Sequence, residues 1–367
     1  MTTRHVRARV LPDGVTRDLF VVEGRFATAP AGEASTILDG GFVVPGLVDA
    51  HAHLGLASPA PGLAERETAR ANAREHLRSG VLAIREPGGP NRASAGIGPH
   101  EGLPRTFTAG RFLAAPGRYV PGFAREVTDA DLPDAAEDEA RASGGWTKVI
   151  GDWFDGERRL APSFAPAALA EAAASVHASG GRIAVHATLP EVIEAAIEAG
   201  ADSIEHGSLL QPDHIPAMAA RGIALVPTLV IRHVLSPPTL AAMGVPADEV
   251  ERLVEGLGRQ PGRVRAAAAA GVVVLAGTDA GMGPHGLVRE EVRELLAAGL
   301  SPEQALAAAS WEARRFLGLP GIADGAPADL VAYPDDPRGD PDVLARPTLI
   351  MLAGQVVETG GATGRRP

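Results

Sequence analysis

The sequence has no cysteine, and only one lysine, Lys148, among its 34 lysine and arginine residues. The first absence excludes disulfides, thiolate metal sites and cysteine nucleophiles, so any metal has to be held by His, Asp, Glu or a modified Lys. No apolar run is long enough to span a bilayer, and Met1-Thr2-Thr3-Arg4-His5 leads into Pro12-Asp13-Gly14 instead of an apolar signal segment. The expectation is a cytoplasmic protein without a membrane partner. Basic residues are scattered among acidic ones at a net charge of −11, leaving no basic stripe to neutralise a nucleic-acid backbone. Small molecules, not nucleic acid, are the expected partners. The scarcity of lysine itself has a neutral source, since the abundance of Ala, Arg, Gly and Pro reads as GC-rich codon usage, and this makes the retained lysine more informative.

What is present is an alternation of short β-branched runs with alanine-rich helical stretches, the pattern of parallel strands covered by helices. The expected strands are Gly46–Asp49, Val81–Arg85, Arg105–Ala109, Thr147–Ile150, Arg182–His186, Ser203–His206, Ala224–Thr228 and Val272–Ala276. A closed (β/α)8 barrel needs eight such units. Helices are expected over Pro166–Ser179, Pro190–Ala199, Glu249–Leu257 and Leu287–Ala298, with a separate alanine-rich helix at Ala266–Ala270. Both ends of the chain read instead as short β pieces punctuated by Asp13-Gly14, Glu23-Gly24 and Asp39-Gly40, and the style returns in Ala328–Tyr333 and Thr348–Leu352. The fold class expected is α/β: a distorted TIM barrel over 46–319, beside a small β-sandwich made from residues 1–45 and 320–367. The glycine- and arginine-rich residues after Gly360 read as a mobile tail.

Candidate chemistry sits at the ends of these strands. His51 and His53 are two apart and project the same way from an extended strand, as two ligands of one ion would, although alternation alone can place ordinary polar residues so. His186 and His206 end the fifth and sixth strands, and Asp279 follows the eighth in Gly277-Thr278-Asp279-Ala280-Gly281. Alone, each histidine could be structural and Asp279 a turn or cap residue. Together they surround one barrel mouth, where catalytic groups of such barrels gather. Lys148 lies on the fourth strand, between these groups. On the surface it would be a relic of drift; desolvated near cations, its amine can lose a proton and take up carbon dioxide as an anionic carbamate. Such a group can bridge two ions, and five other donors exceed what one zinc takes.

The segments Val44-Pro45-Gly46-Leu47-Val48-Asp49-Ala50-His51-Ala52-His53, Ile84–Gly89, Val185-His186-Ala187, Ile204-Glu205-His206-Gly207, Ala276–Ala280 and Gly325–Val331 occur in an order that resembles the amidohydrolase superfamily. The likeness runs along nearly the whole chain and is strongest to the imidazolonepropionase-like branch, with its metal-dependent dipeptidases and its prolidase- and ochratoxinase-type amide hydrolases. The resemblance implies two divalent metal ions, zinc first among them. His51, His53 and Asp279 would hold one and His186 and His206 the other, with carboxylated Lys148 as the bridge. It further implies a water acidified towards neutrality, Asp279 as proton shuttle, and cleavage of an amide in a dipeptide or N-acyl amino acid. A deaminase, an imidazolonepropionase-like ring opener and a lactonase are the alternatives, the first two without need of Lys148. A non-catalytic barrel would be expected to have lost ligands, and none is missing. Homo-oligomers are allowed by the same resemblance.

Candidates for substrate contact are His285 after the last strand, with loop packing as its alternative, and Arg118 and Tyr119 in the loop after the third and Arg232 and His233 after the seventh, with a solvated surface role as theirs. An arginine at the rim can bind a substrate carboxylate through paired hydrogen bonds. Where related enzymes carry a glycine- and histidine-containing segment, this chain has Ala115-Pro116-Gly117-Arg118-Tyr119. Glu205, next to His206, is expected to point away from the metals and to support the ligands or the fold without acting in catalysis, and Pro87-Gly88-Gly89-Pro90 to be a turn at the rim.

Overall fold

Period-two burial marks the first strand: in β1 (Thr3–Val10) the side chains of Val6, Ala8 and Val10 are buried while Arg7 and Arg9 face solvent. It is followed by β2 (Val15–Val22), β3 (Arg25–Ala27) and β4 (Ala34–Pro45). The computed structural model describes residues 3–57 and 64–357, so the expected mobile tail lies outside the described residues. After β4 come β5 (Leu47–Asp49), β6 (Val81–Glu86), β7 (Arg105–Thr108), β8 (Phe112–Ala114), β9 (Ala124–Glu126), β10 (Trp146–Ile150), β11 (Asp152–Phe154), β12 (Leu160–Pro162), β13 (Arg182–Ala187), β14 (Ser203–His206) and β15 (Ala224–Val226). The chain closes with β16 (Leu330–Tyr333), β17 (Leu349–Leu352) and β18 (Gln355–Val356).

Both chain ends enter one seven-stranded sheet, ordered β18-β17-β16-β4-β1-β2-β3. A single shared sheet is found where a sandwich was expected. Residues 42–45 of β4 pair antiparallel with β16, at a point where a side chain on Gly41 would stand 2.4 Å from the carbonyl oxygen of Tyr333. Only glycine, at φ +74°, lets the two backbones approach so closely.

Between the ends, parallel strands alternate with covering helices, the α/β organisation expected. They form two sheets, β5-β6-β7 and β15-β14-β13-β10-β8-β9, with no continuous ladder around eight strands. Two local features account for the break. The third expected strand is present as β7, but beyond Gly110 (φ +71°), where a Cβ would meet Glu139 Oε2 at 2.6 Å, the chain begins an unexpected strand, β8, so β7 pairs with β6 while β8 pairs with β10. The eighth expected strand, 272–276, makes only an isolated bridge, Leu225 to Val274. Its backbone still links neighbours: Leu225 N donates to Val273 O (2.9 Å) and Ala50 N to Ala276 O (2.8 Å).

The helix Pro190–Ala199 has its proline in the first turn and Gly200 left-handed just beyond its end, as the sequence indicates. Glu249–Leu257 and Ala266–Ala270, expected as separate helices, belong to one helix, Ala247–Ala269, that runs through Pro261. Its buried stripe, Leu253, Gly256, Leu257, Gln260, Val264 and Ala267, continues across the proline, so packing overrides the lost backbone hydrogen bond. Among the described residues no helix is long and apolar enough to cross a membrane.

Candidate metal centre

His51 and His53 follow β5, and Asp279 reaches them from the neighbouring segment. The imidazole Nε2 atoms of His51 and His53 lie 3.3 and 3.0 Å from Asp279 Oδ1. One donor atom from each of the three falls within 4.8 Å of the others. Backbone bonds hold this arrangement: Asp279 N donates to His51 O, and His53 N to Ala280 O, each at 2.7 Å. Gly277 is required beside it, because a Cβ there would sit 2.6 Å from that of His51. Asp279 itself is left-handed (φ +52°), a conformation that costs a non-glycine residue about 1–3 kcal/mol.

The ring protons are settled by what lies behind each imidazole. His53 Nδ1 is 2.7 Å from the carbonyl of Gly88, which only accepts, so Nδ1 carries a proton and Nε2 is the nitrogen turned to the site. His51 Nδ1 is 2.6 Å from Glu205 Oε2. Burial alone would raise the Glu205 carboxyl, but Arg85 and His51 hold it well below its ordinary range, so it is ionised and accepts the His51 proton. Arg85 Nη2 donates to both carboxylate oxygens (2.8 and 2.7 Å), and its guanidinium lies 5.0 Å from the Trp146 ring. Burial also raises the Asp279 carboxyl; the facing imidazoles outweigh it and keep the group well below the usual carboxylate range.

His186 and His206 are built differently. Their rings are 4.6 Å apart, and that of His206 is 5.0 Å from His51. His206 is left-handed (φ +68°), and Gly207 N donates back to Glu205 O at 2.9 Å. This tight turn lets adjacent residues both reach the interior, which strand alternation forbids. Glu205 therefore sits behind His51 instead of turning away from the ligands. Gln260 Nε2 steadies the turn by donating to His206 O (2.7 Å) and Pro227 O (3.0 Å). His206 Nδ1 pairs with Thr228 Oγ1 at 2.8 Å, and His186 Nε2 lies 3.6 Å from Asp152 Oδ1, a buried oxygen with no hydrogen-bond partner. Burial drives His206 down to about 3 against the opposing pull of Asp279, and drives His186 well below its usual value, assisted by His206 and Lys148. Neutral imidazoles keep their lone pairs for a cation.

Lys148 is 1% exposed on β10, in register with Ala184 of β13, and Ile150 two residues on faces His186. Among the described residues nothing accepts a hydrogen bond from its Nζ. Burial lowers its pKa to about 8, with Glu205 pulling it up and Arg85 pushing it down. A buried lysine without a hydrogen-bond partner is costly unless it is neutral or modified.

Lys148, both histidine pairs and Asp279 line one cavity of about 180 Å³. Tyr119 lines it as well. The other expected substrate contacts are engaged elsewhere: Arg118 Nη2 donates to the carbonyls of Trp153, Ala161 and Pro162. Arg232 and His233 both pair with Glu294. His285 sits against His76, with 3.1 Å between ring nitrogens, and lies off the cavity wall. Thr228 and Gly88, which hydrogen-bond the imidazoles, and Asp152, which stands beside His186, were not singled out for that task in the sequence; Asp152, which opens β11 just past the lysine's strand, is the one a search for buried acids near strand ends would find.

Residues 42–357 match the amidohydrolase family. An uncharacterised protein of Mycobacterium tuberculosis (strain ATCC 25618 / H37Rv) is 42% identical over 355 residues, covering 96% of this chain and 95% of that protein. A solved Xaa-Pro dipeptidase with methionine bound in its active site superposes with a TM-score of 0.81 at 21% identity, over 97% of this chain and 99% of the other. The ochratoxinase of A. niger gives 0.80 at 19%, over 97% and 95%. The chain belongs to the amidohydrolase family and is a hydrolase acting on C–N bonds.

Proposed function

We propose that the protein hydrolyses an amide bond, peptide-like or N-acyl, in a small molecule, in the cytoplasm and with two divalent ions, zinc first among them. The observation that carries this reading is Lys148: a buried amine, pushed towards neutrality, with the His51–His53–Asp279 group on one side and His186 and His206 on the other. The two parallel sheets are read as parts of one distorted (β/α)8 barrel over 46–319, and 1–45 with 320–367 as a companion domain to which the shared end sheet, Thr3 to Val356, belongs. The solved Xaa-Pro dipeptidase and the ochratoxinase, whose folds this chain shares, support the amide reading by analogy.

The donor set fits divalent ions: four imidazoles, an ionised carboxylate and no thiolate. His51, His53 and Asp279 would hold one ion, His186 and His206 the other, and Lys148 would stand between them once Nζ has bonded to carbon dioxide and released a proton. When bound, the ions supply a Lewis acid and a water acidified to a nucleophile near neutral pH. Asp279 accepts the proton of the attacking water on its carboxylate and delivers it to the departing amine nitrogen. Glu205, through His51 Nδ1, and Gly88, through His53 Nδ1, keep both rings in the tautomer that faces the site. The apolar wall excludes bulk water.

Lys148→Ala is expected to lower metal content from two ions towards one and to abolish turnover, with partial rescue by short carboxylates. Elemental analysis beside an amidase assay checks this; unchanged stoichiometry and rate would reject the bridge. A second reading, a one-ion deaminase or ring opener, draws on the compactness of the His51–His53–Asp279 group, and under it Lys148→Ala leaves metal content unaltered.

A further inference from the structure

Phe, Trp and Tyr make up only 4% of the chain, yet four of them, Phe112, Tyr119, Phe123 and Trp153, line this one cavity. Three of these form an arc between the two imidazole pairs: His53 to Phe112 is 5.2 Å between ring centres, Phe112 to Tyr119 5.0 Å, Tyr119 to Trp153 4.6 Å, and Trp153 to His186 5.6 Å. At the mouth stand Val120, Met243 and Met282, each exposed by more than a third (38, 37 and 54%). Apolar residues so exposed and so grouped mark a contact surface for an apolar group.

Cations are missing where a charged substrate would need them. Among the described residues no arginine lines the cavity, and its lysine is Lys148. The nearby guanidinium of Arg118 is turned to backbone carbonyls, Arg232 and His233 are taken by Glu294, and His285 packs on His76. A carboxylate seated on the aromatic arc would be desolvated without a partner. Neutral polarity is on offer instead: the Tyr119 hydroxyl has no hydrogen-bond partner among the described residues.

We infer that the group flanking the scissile amide, where it rests on the Phe112–Tyr119–Trp153 arc, is uncharged and aromatic or branched aliphatic, so that the substrates are neutral amides and not dipeptides or N-acyl amino acids with a free carboxylate. This rests on the amide-hydrolase reading and narrows it.

The test is a matched pair that differs only by the carboxylate, N-benzoyl-leucine and N-(3-methylbutyl)benzamide, assayed on the full-length protein reconstituted with zinc. The neutral amide is expected to have a kcat/KM higher by roughly 100-fold, the discrimination expected against one unpaired charge. Equal values, or preference for the acid, overturn the inference. If neither is cleaved, the amide reading fails, and binding to the metal-free protein decides the rest. Tryptophan fluorescence, read against Trp153→Phe, should show the neutral member binding at least ~10-fold tighter; equal or tighter binding of N-benzoyl-leucine overturns it without reference to turnover.

Discussion

The two halves of the candidate centre face each other across one cavity but are assembled by opposite means. His51, His53 and Asp279 touch one another through a shared carboxylate oxygen, and backbone hydrogen bonds and the buried Arg85–Glu205 pair lock them. His186 and His206 have no carboxylate between them; burial keeps them neutral, a threonine bonds His206, and a buried aspartate stands 3.6 Å from His186. The first half is therefore shaped for a cation before one arrives. The second supplies lone pairs alone, and its negative charge would have to come from a modified Lys148. Preorganisation and chemical modification are two routes to one end, and they should fail differently.

The harshest way to break the contrast is Asp279→Asn, which keeps the shape but removes the charge and the proton acceptor. Turnover should drop by about 10³–10⁴-fold, with loss of metal from the His51–His53 half and retention at His186–His206; metal titrations beside kcat read both. Glu205→Gln attacks the support instead. It leaves Arg85 buried without its partner, and about 3–5 kcal/mol of stability should go with it, visible as an earlier denaturation midpoint. Survival of the wild-type midpoint would show that Arg85 finds another anion. Thr228→Val keeps the volume and deletes the oxygen behind His206, so metal affinity in the second half should weaken by roughly 10-fold while the first half titrates unchanged.

The smallest effect sharpens the role of charge. In the metal-free, uncarboxylated protein the Lys148 pKa is lowered to about 8 from an ordinary 10.5. Below pH 8 the folded and unfolded chains both hold the proton, and the full cost of burying the ammonium is present. Between the two values only the unfolded chain holds it, so stability rises with pH across that window. Urea midpoints from pH 7.5 to 10 should climb in the wild type relative to Lys148→Met; parallel curves would mean that the buried amine is not strained.

Why these contrasts were only half legible in the sequence can be said residue by residue. His51, His53, His186, His206, Asp279 and Lys148 could be picked out because residue type and strand-end position are local properties. The α/β alternation was legible for the same reason. The Glu205–His51 bond was not, because it depends on the positive φ of His206, and nothing in the string Ile204-Glu205-His206-Gly207 announces that a strand ends in a left-handed histidine. The additional strand β8 beyond Gly110 and the continuation of a helix through Pro261 escaped because tertiary packing decided both. Arg118, Arg232 and His285 were candidates for substrate contact on charge and position alone, and which alternative held was decided by partners distant in sequence.

The pairing of β4 with β16 bears on how the molecule is made. β4 ends at Pro45, and β5, the strand that leads to His51, begins at Leu47. The partner of residues 42–45 is β16, so this edge has to wait, unpaired, while every strand of the two parallel sheets between them is translated. A chain terminated before Leu330 keeps every histidine, the lysine and the aspartate of the site, yet carries an open β edge two residues from the strand that leads to the first ligands. Such a product is an aggregation hazard and not a smaller enzyme.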